Sequence, residues 1–388
     1  MSGIGYVRRV RIGSELYSLA IQEGKFAEIE RSDAPLAAGE TGWDAQGLLY
    51  TPTMADMHCH LDKHFIGEGW RSRKRIDTLP NQLRREQELL AELEGDVASR
   101  ARTLLNRMLS YGTTRVRTHV DVDPDIGLRH LEAVLRVREE YRDRMDIEIV
   151  AFPQQGLIRS GSMAVMREAM GMGAEYVGAV DPAGLDRSLE PCLDGVFELA
   201  SEYDAGVDIH LHDPGHLGLY TIDRIADYTV QSGKQGRVAV SHAWALGEVG
   251  EGEIRGLAPK LSDSGVAIIT SVPIDRQMPP VALLDELGVQ VMLGTDNVLD
   301  AWSPFGSGDL LERACRLAER SYWVEDEQLL GAYRYASAGS TVPSVGEAAT
   351  FMLVEAMNLQ HAVAAPPARE WVFYGGRPVA GRKYEQSC

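Results

Sequence analysis

Between residues 53 and 296 the chain alternates between two hydrophobic patterns. Short apolar runs rich in β-branched residues give way to longer stretches in which apolar positions recur every three to four residues. The short runs read as strands at Thr53–His60, Arg115–Asp121, Ile147–Pro153, Tyr176–Asp181, Val207–Asp213, Val238–Ala243, Val266–Val272 and Val289–Asp296. The stretches between them read as amphipathic helices, as in Leu131, Val134, Leu135 and Val137, or Ile222, Ile225 and Ala226. Gly112, Gly173, Gly206, Gly265 and Gly288 fall near the ends of helical stretches, where a stop signal belongs. Near-continuous apolar strands are buried on both faces, so the pattern predicts an α/β fold with a parallel sheet, and eight units predict a closed (β/α)8 TIM barrel.

The flanks follow a different period. Residues 4–50 and 350–380 alternate apolar and polar positions around turns, which predicts strands at both ends of the chain. The expected arrangement is a composite β-sandwich domain from residues 1–52 and 341–388, with a barrel of residues 53–340 inserted. The first crossover, Leu61 to Thr114, is nearly twice the usual span. It carries the charged stretch Arg71-Ser72-Arg73-Lys74-Arg75 and a helical pattern from Asn81 towards Ser110. Such an insertion either covers the mouth of the barrel or is a solvated helix without a role there.

Composition narrows the partners. The chain has 388 residues, with 39 Lys and Arg against 57 Asp and Glu, and a formal net charge of −18. That charge repels phosphate backbones, and the short basic run at 71–75 does not stand out against it, so the expectation is no nucleic acid and no membrane surface as partner. No apolar run approaches the ~20 residues of a membrane span, and the start, Met1-Ser2-Gly3-Ile4-Gly5, lacks a signal-peptide core, so a cytoplasmic protein is expected. Cys59, Cys192, Cys315 and Cys388 follow no spacing logic and read as reduced thiols, Cys59 in the core.

Barrel enzymes carry their chemistry at the C-terminal ends of the strands. Six of the ten histidines, His58, His60, His119, His210, His212 and His242, fall at the ends of four predicted strands. His58 and His60, at i and i+2, project to one side of a strand and can share one ion. Imidazole and carboxylate ligands suit Zn²⁺ or Fe²⁺, and such an ion lowers the pKa of bound water to about 7. His130 and His361 read as packing or surface residues. His64 and His216 lie in loops beside the site, and Asp121 and Asp123 read as loop caps or ion-pair partners.

With His58-Cys59-His60-Leu61-Asp62-Lys63, Thr118-His119-Val120-Asp121, Phe152-Pro153-Gln154, His210, Ser241-His242 and Asp296 in this order, the chain resembles the amidohydrolase superfamily. Within it the chain looks like the cytosine deaminase branch, which includes the N-isopropylammelide isopropyl amidohydrolases. The resemblance implies one divalent metal ion held by His58, His60, His210 and Asp296. It implies a mononuclear centre, because the end of the fourth strand reads Val180-Asp181-Pro182 without the lysine that bridges two metals.

The resemblance also assigns roles. Asp296 accepts a proton from the attacking water, His242 stabilises charge on the new oxygen, and Asp213 protonates the ring and the leaving amine. Gln154, His212, Asn297, Trp302 and His119 contact substrate. His212-Asp213, Asp296-Asn297 and Gly218-Leu219-Tyr220-Thr221-Ile222 look more like the isopropylammelide hydrolases than like cytosine deaminase. The implied activity is hydrolysis of an exocyclic C–N bond on a small neutral pyrimidine- or triazine-like ring such as cytosine, in a homo-oligomer. Release of ammonia is the first reading and release of an alkylamine the second. The same residues would also suit a hydrolase of cyclic amides, or a metal-binding relative without catalytic activity.

Overall fold

The computed structural model describes residues 5–74, 78–93 and 95–386. Arg75 of the charged stretch, Cys388 and the first four residues lie outside the described residues. Eight parallel strands form one sheet in sequential order: β1 (Met54–Cys59), β2 (Thr113–Asp121), β3 (Asp146–Phe152), β4 (Tyr176–Val180), β5 (Gly206–Leu211), β6 (Val238–His242), β7 (Val266–Thr270) and β8 (Val291–Leu293). Helices cross between each neighbouring pair, and the interior of each strand is almost wholly buried, as its unbroken apolar runs require. The last strand is shorter than the sequence suggests, and Gly206 opens β5 instead of ending a helix. Gly265 does stop its helix, in the left-handed conformation with φ 62°.

The ring closes at the mouth. Cys59 bridges Asp296 in parallel, and the Asp296 N–H donates to the His58 carbonyl at 2.7 Å. Asp56, wholly buried in β1, takes both the N–H of Thr295 at 3.0 Å and its hydroxyl at 2.6 Å. The strands come this close only because residue 294 is glycine, since a Cβ there would lie 2.5 Å from His58 Cβ. Pairing between β1 and β2 slips between Asp56 and Cys59. Below and within the slip Ala55 and Met57 line the barrel floor, and above it His60 lines the mouth. Cys59 packs in the outer core.

Strands from both ends of the chain build a second eight-stranded sheet, in which Leu49–Pro52 pairs antiparallel with Phe351–Val354. It is one connected sheet whose two ends face each other across a core of Phe26, Tyr50, Phe351 and Phe373, with the last two rings stacked at 4.6 Å. The long first crossover resolves into two helices, Leu79–Ala91 and Val97–Ser110. The continuous pattern breaks where the Asp96 side chain accepts the Ser99 N–H at 2.6 Å and caps the second helix. Among the described residues no helix is long and apolar enough to cross a membrane.

Candidate active site and metal centre

The C-terminal ends of the strands surround a cavity of about 320 Å³. Of the sequence-predicted residues, His60, Gln154, His210, His212, His242, Asp296, Asn297 and Trp302 line it, and His58 lies directly beneath. Their placement is strained in a telling way: Asp181, His242 and Asp296, each just at or past a strand end, have φ of 38°, 70° and 54°. Non-glycine residues occupy this region at a cost of about 1–3 kcal/mol and keep it only where the surroundings fix them, a habit of functional sites.

Among the described residues three triads share His58; one, with His119 and Asp208, lies beneath the cavity, and the other two face it. His58, His60 and His210 present ligand atoms within 4.8 Å of one another, and so do His58, His242 and Asp296. Asp296 Oδ1 stands 3.5 Å from Nε2 of both His58 and His60, while its Oδ2 faces His242 Nδ1 at 3.9 Å. Burial, and then the charge of Lys63, push His60 down to about 4, and burial drives His210 and His242 well below the usual imidazole range. Burial alone would raise Asp296, but the surrounding histidines outweigh it and hold the carboxylate ionised. The cluster therefore offers the neutral imidazoles of His60, His210 and His242 beside one anionic carboxylate. His58 Nε2, His210 Nδ1 and His242 Nε2 are buried without a hydrogen-bond partner. Unpartnered inward lone pairs beside a carboxylate fit a divalent cation.

The substrate side is organised by a residue that the strand-end pattern does not single out. Glu86, from the inserted helix Leu79–Ala91, is almost wholly buried behind the cavity wall. It accepts from Trp302 Nε1 at 2.7 Å and from Gln154 Nε2 at 2.9 Å. Lys63 Nζ donates to Gln154 Oε1 at 3.1 Å and to Asp121 at 2.8 Å. The Gln154 amide is thus fixed with its oxygen towards Lys63 and its nitrogen towards Glu86. The available signal was an acid on an otherwise apolar helical stripe, Leu79, Leu83, Glu86, Leu90. His212 is aimed by Asp181, which accepts from its Nδ1 at 2.8 Å. The ring stacks on His242 at 4.6 Å. Burial lowers the His212 pKa, but Asp181 outweighs it and the net shift is upward.

Two of the expected residues stand apart from the cavity lining. Asp213 does not line the cavity: its carboxylate accepts the Gly184 N–H at 3.0 Å, packed so close that a Cβ on Gly184 would lie 1.9 Å from it. Burial, and then Asp181, raise it to about 6. His119 is not a cavity residue either. It is wholly buried, its ring 4.2 Å from that of His58, and its Nε2 faces Asp208 at 3.4 Å. Outside the site, His64 and His130 are bound in hydrogen bonds to Arg100 and Asp62. Asp123 caps its own loop through the N–H groups of Asp125 and Ile126.

A parallel eightfold barrel with an inward histidine–aspartate cluster at its mouth defines the architecture of a metal-dependent hydrolase. The amidohydrolase family model matches residues 41–341, and the chain belongs to the amidohydrolase family. It is 34% identical over 308 residues to the N-isopropylammelide isopropyl amidohydrolase of Pseudomonas sp. (strain ADP), covering 77% of this chain and 75% of that protein. The structure superposes on N-isopropylammelide isopropylaminohydrolase from Burkholderia multivorans with a TM-score of 0.91 and 34% identity, covering 98% and 99% of the two chains. On 5-methylcytosine deaminase from Klebsiella pneumoniae the TM-score is 0.83 at 25% identity, covering 98% of each chain.

Proposed function

We propose that this protein hydrolyses an exocyclic C–N bond on a small neutral pyrimidine- or triazine-like ring. The observation that carries the reading is the shared cavity: a histidine–aspartate cluster at its base and, in the same lining, a Gln154 amide locked by Lys63 and Glu86. His58, His60, His210 and Asp296 would hold one divalent ion, Zn²⁺ or Fe²⁺, which when bound acidifies water and polarises the carbon under attack. Asp296 divides its oxygens: Oδ1 faces the histidine pair, and Oδ2, towards His242, is placed to take a proton. His242, held neutral by burial, can donate a hydrogen bond to charge that develops on the ring.

With Asp213 turned away, His212 is the cavity group placed to protonate the leaving amine. Its Nδ1 is anchored on Asp181, so its Nε2 remains for the substrate. Trp302 and Phe152 give the ring apolar faces.

Ammonia is the leaving group in the first reading. An alkylamine is the second, and it is supported by the N-isopropylammelide-named relatives and by an apolar wall of Leu79, Leu83, Ile274 and Phe305 in the same cavity. A coupled assay of zinc- and iron-loaded protein on cytosine, isocytosine, ammelide and N-isopropylammelide tests both. Release of ammonia or isopropylamine from any of these is expected. Absence of both products from every ring sinks the substrate class.

A further inference from the structure

Beneath the mouth, the inside of the barrel holds a polar relay that the proposed reaction does not use. Asp208 on β5 is wholly buried, and its Oδ2 accepts from Arg117 Nη1 at 3.1 Å. Its Oδ1 accepts the Ser241 hydroxyl at 2.7 Å. Ser241 Oγ in turn lies 2.7 Å from His58 Nδ1. Arg117 is itself fixed from the barrel floor by Glu148 at 2.9 Å and by the Tyr176 hydroxyl at 2.7 Å, with its guanidinium 3.9 Å over the Tyr176 ring.

We propose that Asp208 is a positioning residue, acting through Ser241 to fix the tautomer and orientation of His58 as an Nε2 ligand. The inference rests on the reading of the mouth as a metal centre. Its logic is proton counting. A serine hydroxyl carries one proton. A carboxylate paired to Arg117 has none to give, so Ser241 must donate to Asp208. What remains on Ser241 towards His58 is a lone pair, so the imidazole proton sits on Nδ1 and the lone pair on Nε2. The opposite arrangement would set two oxygen lone pairs, on Ser241 Oγ and Asp208 Oδ1, 2.7 Å apart with no proton between them, while His119 Nε2 stands farther from Oδ1 at 3.4 Å. His58 Nε2 is the atom that points at Asp296 and has no hydrogen-bond partner. Outer partners of this kind typically change metal affinity about 10- to 100-fold when removed.

Ser241→Ala is the principal test, because it keeps the Asp208–Arg117 pair and with it the fold. Asp208→Asn is the second variant. Zinc affinity is measured on the full chain by competition with a chromophoric chelator, and the His58 tautomer by ¹⁵N NMR of histidine-labelled protein before zinc is added. Both variants are expected to bind zinc about 10- to 100-fold more weakly. In the wild type His58 is expected as the Nδ1–H tautomer, and in Ser241→Ala the proton redistributes towards Nε2. Ser241→Ala protein that binds zinc as tightly as the wild type, with an unaltered His58 tautomer, overturns the proposal alone. Wild-type protein that binds no zinc overturns the metal centre, and this inference with it.

Discussion

At the scale of single residues, the site was legible wherever chemistry coincided with a strand end. His58, His60, His210, His242 and Asp296 stand out because imidazoles and carboxylates cluster at predicted strand termini, and the barrel brings those termini together. Asp213 and His119 stand apart from the cavity lining for a physical reason: sequence position fixes which strand a side chain leaves from, not whether it turns to the Gly184 N–H, as Asp213 does, or packs beneath the mouth facing Asp208, as His119 does. Asp296→Asn is expected to abolish turnover across the whole pH range. It removes the group placed to accept the proton, and loss of a general base alone costs about 10²–10⁴-fold. Turnover within tenfold of wild type, measured as kcat, would remove Asp296 from the mechanism.

His64 makes a separate prediction at the same scale. Its Nε2 donates to the Arg100 carbonyl at 2.7 Å, and its Nδ1 accepts the Ile66 N–H at 3.1 Å, so the buried ring is locked neutral. Burial pushes its pKa from 6.5 down to about 4. Between those values the unfolded chain takes up a proton that the folded one refuses. The stability contributed by His64 is therefore complete above pH 6.5 and is lost as the pH falls towards 4, by about 3 kcal/mol. His64→Gln keeps a donor and an acceptor without titrating, and should flatten that part of the decline in Tm against pH.

At the scale of elements, the barrel strands were readable because a strand buried on both faces has no choice but to be apolar throughout. The inserted helix Leu79–Ala91 was not, because a helix that lies over a pocket and a solvated helix share the same 3.6-residue period. Only the destination of Glu86 separates them, and that is set by tertiary packing on Gln154 and Trp302. Glu86→Ala should free Trp302 Nε1 and the nitrogen end of the Gln154 amide, while leaving Lys63 on Asp121 and on the Gln154 oxygen. At about 1.5–3 kcal/mol for a hydrogen bond to a charged group, KM for the preferred ring is expected to rise about 10- to 100-fold, with a smaller change in kcat. A steady-state comparison with unchanged KM would reduce the helix to a cover.

At the scale of the whole molecule, the barrel is held shut at the place where it works. Asp296 closes β8 onto β1 through its backbone, while its side chain stands among histidines contributed by β1, β5 and β6. A cation bound there would join strands from opposite sides of the ring, so its removal should be felt by the fold as well as by the chemistry. Dialysis against a chelator is expected to abolish activity and lower Tm. Zn²⁺ or Fe²⁺ at one equivalent per chain should restore both. The stabilisation grows as RT ln(1 + [L]/Kd), about 2.7 kcal/mol when free metal exceeds Kd a hundredfold. Elemental analysis distinguishes one ion from two. The end of β4 offers Asp181, already committed to His212, where a bridging lysine would be needed. One ion per chain is therefore expected, and two would require a bridging ligand from outside these residues and would overturn the mononuclear centre.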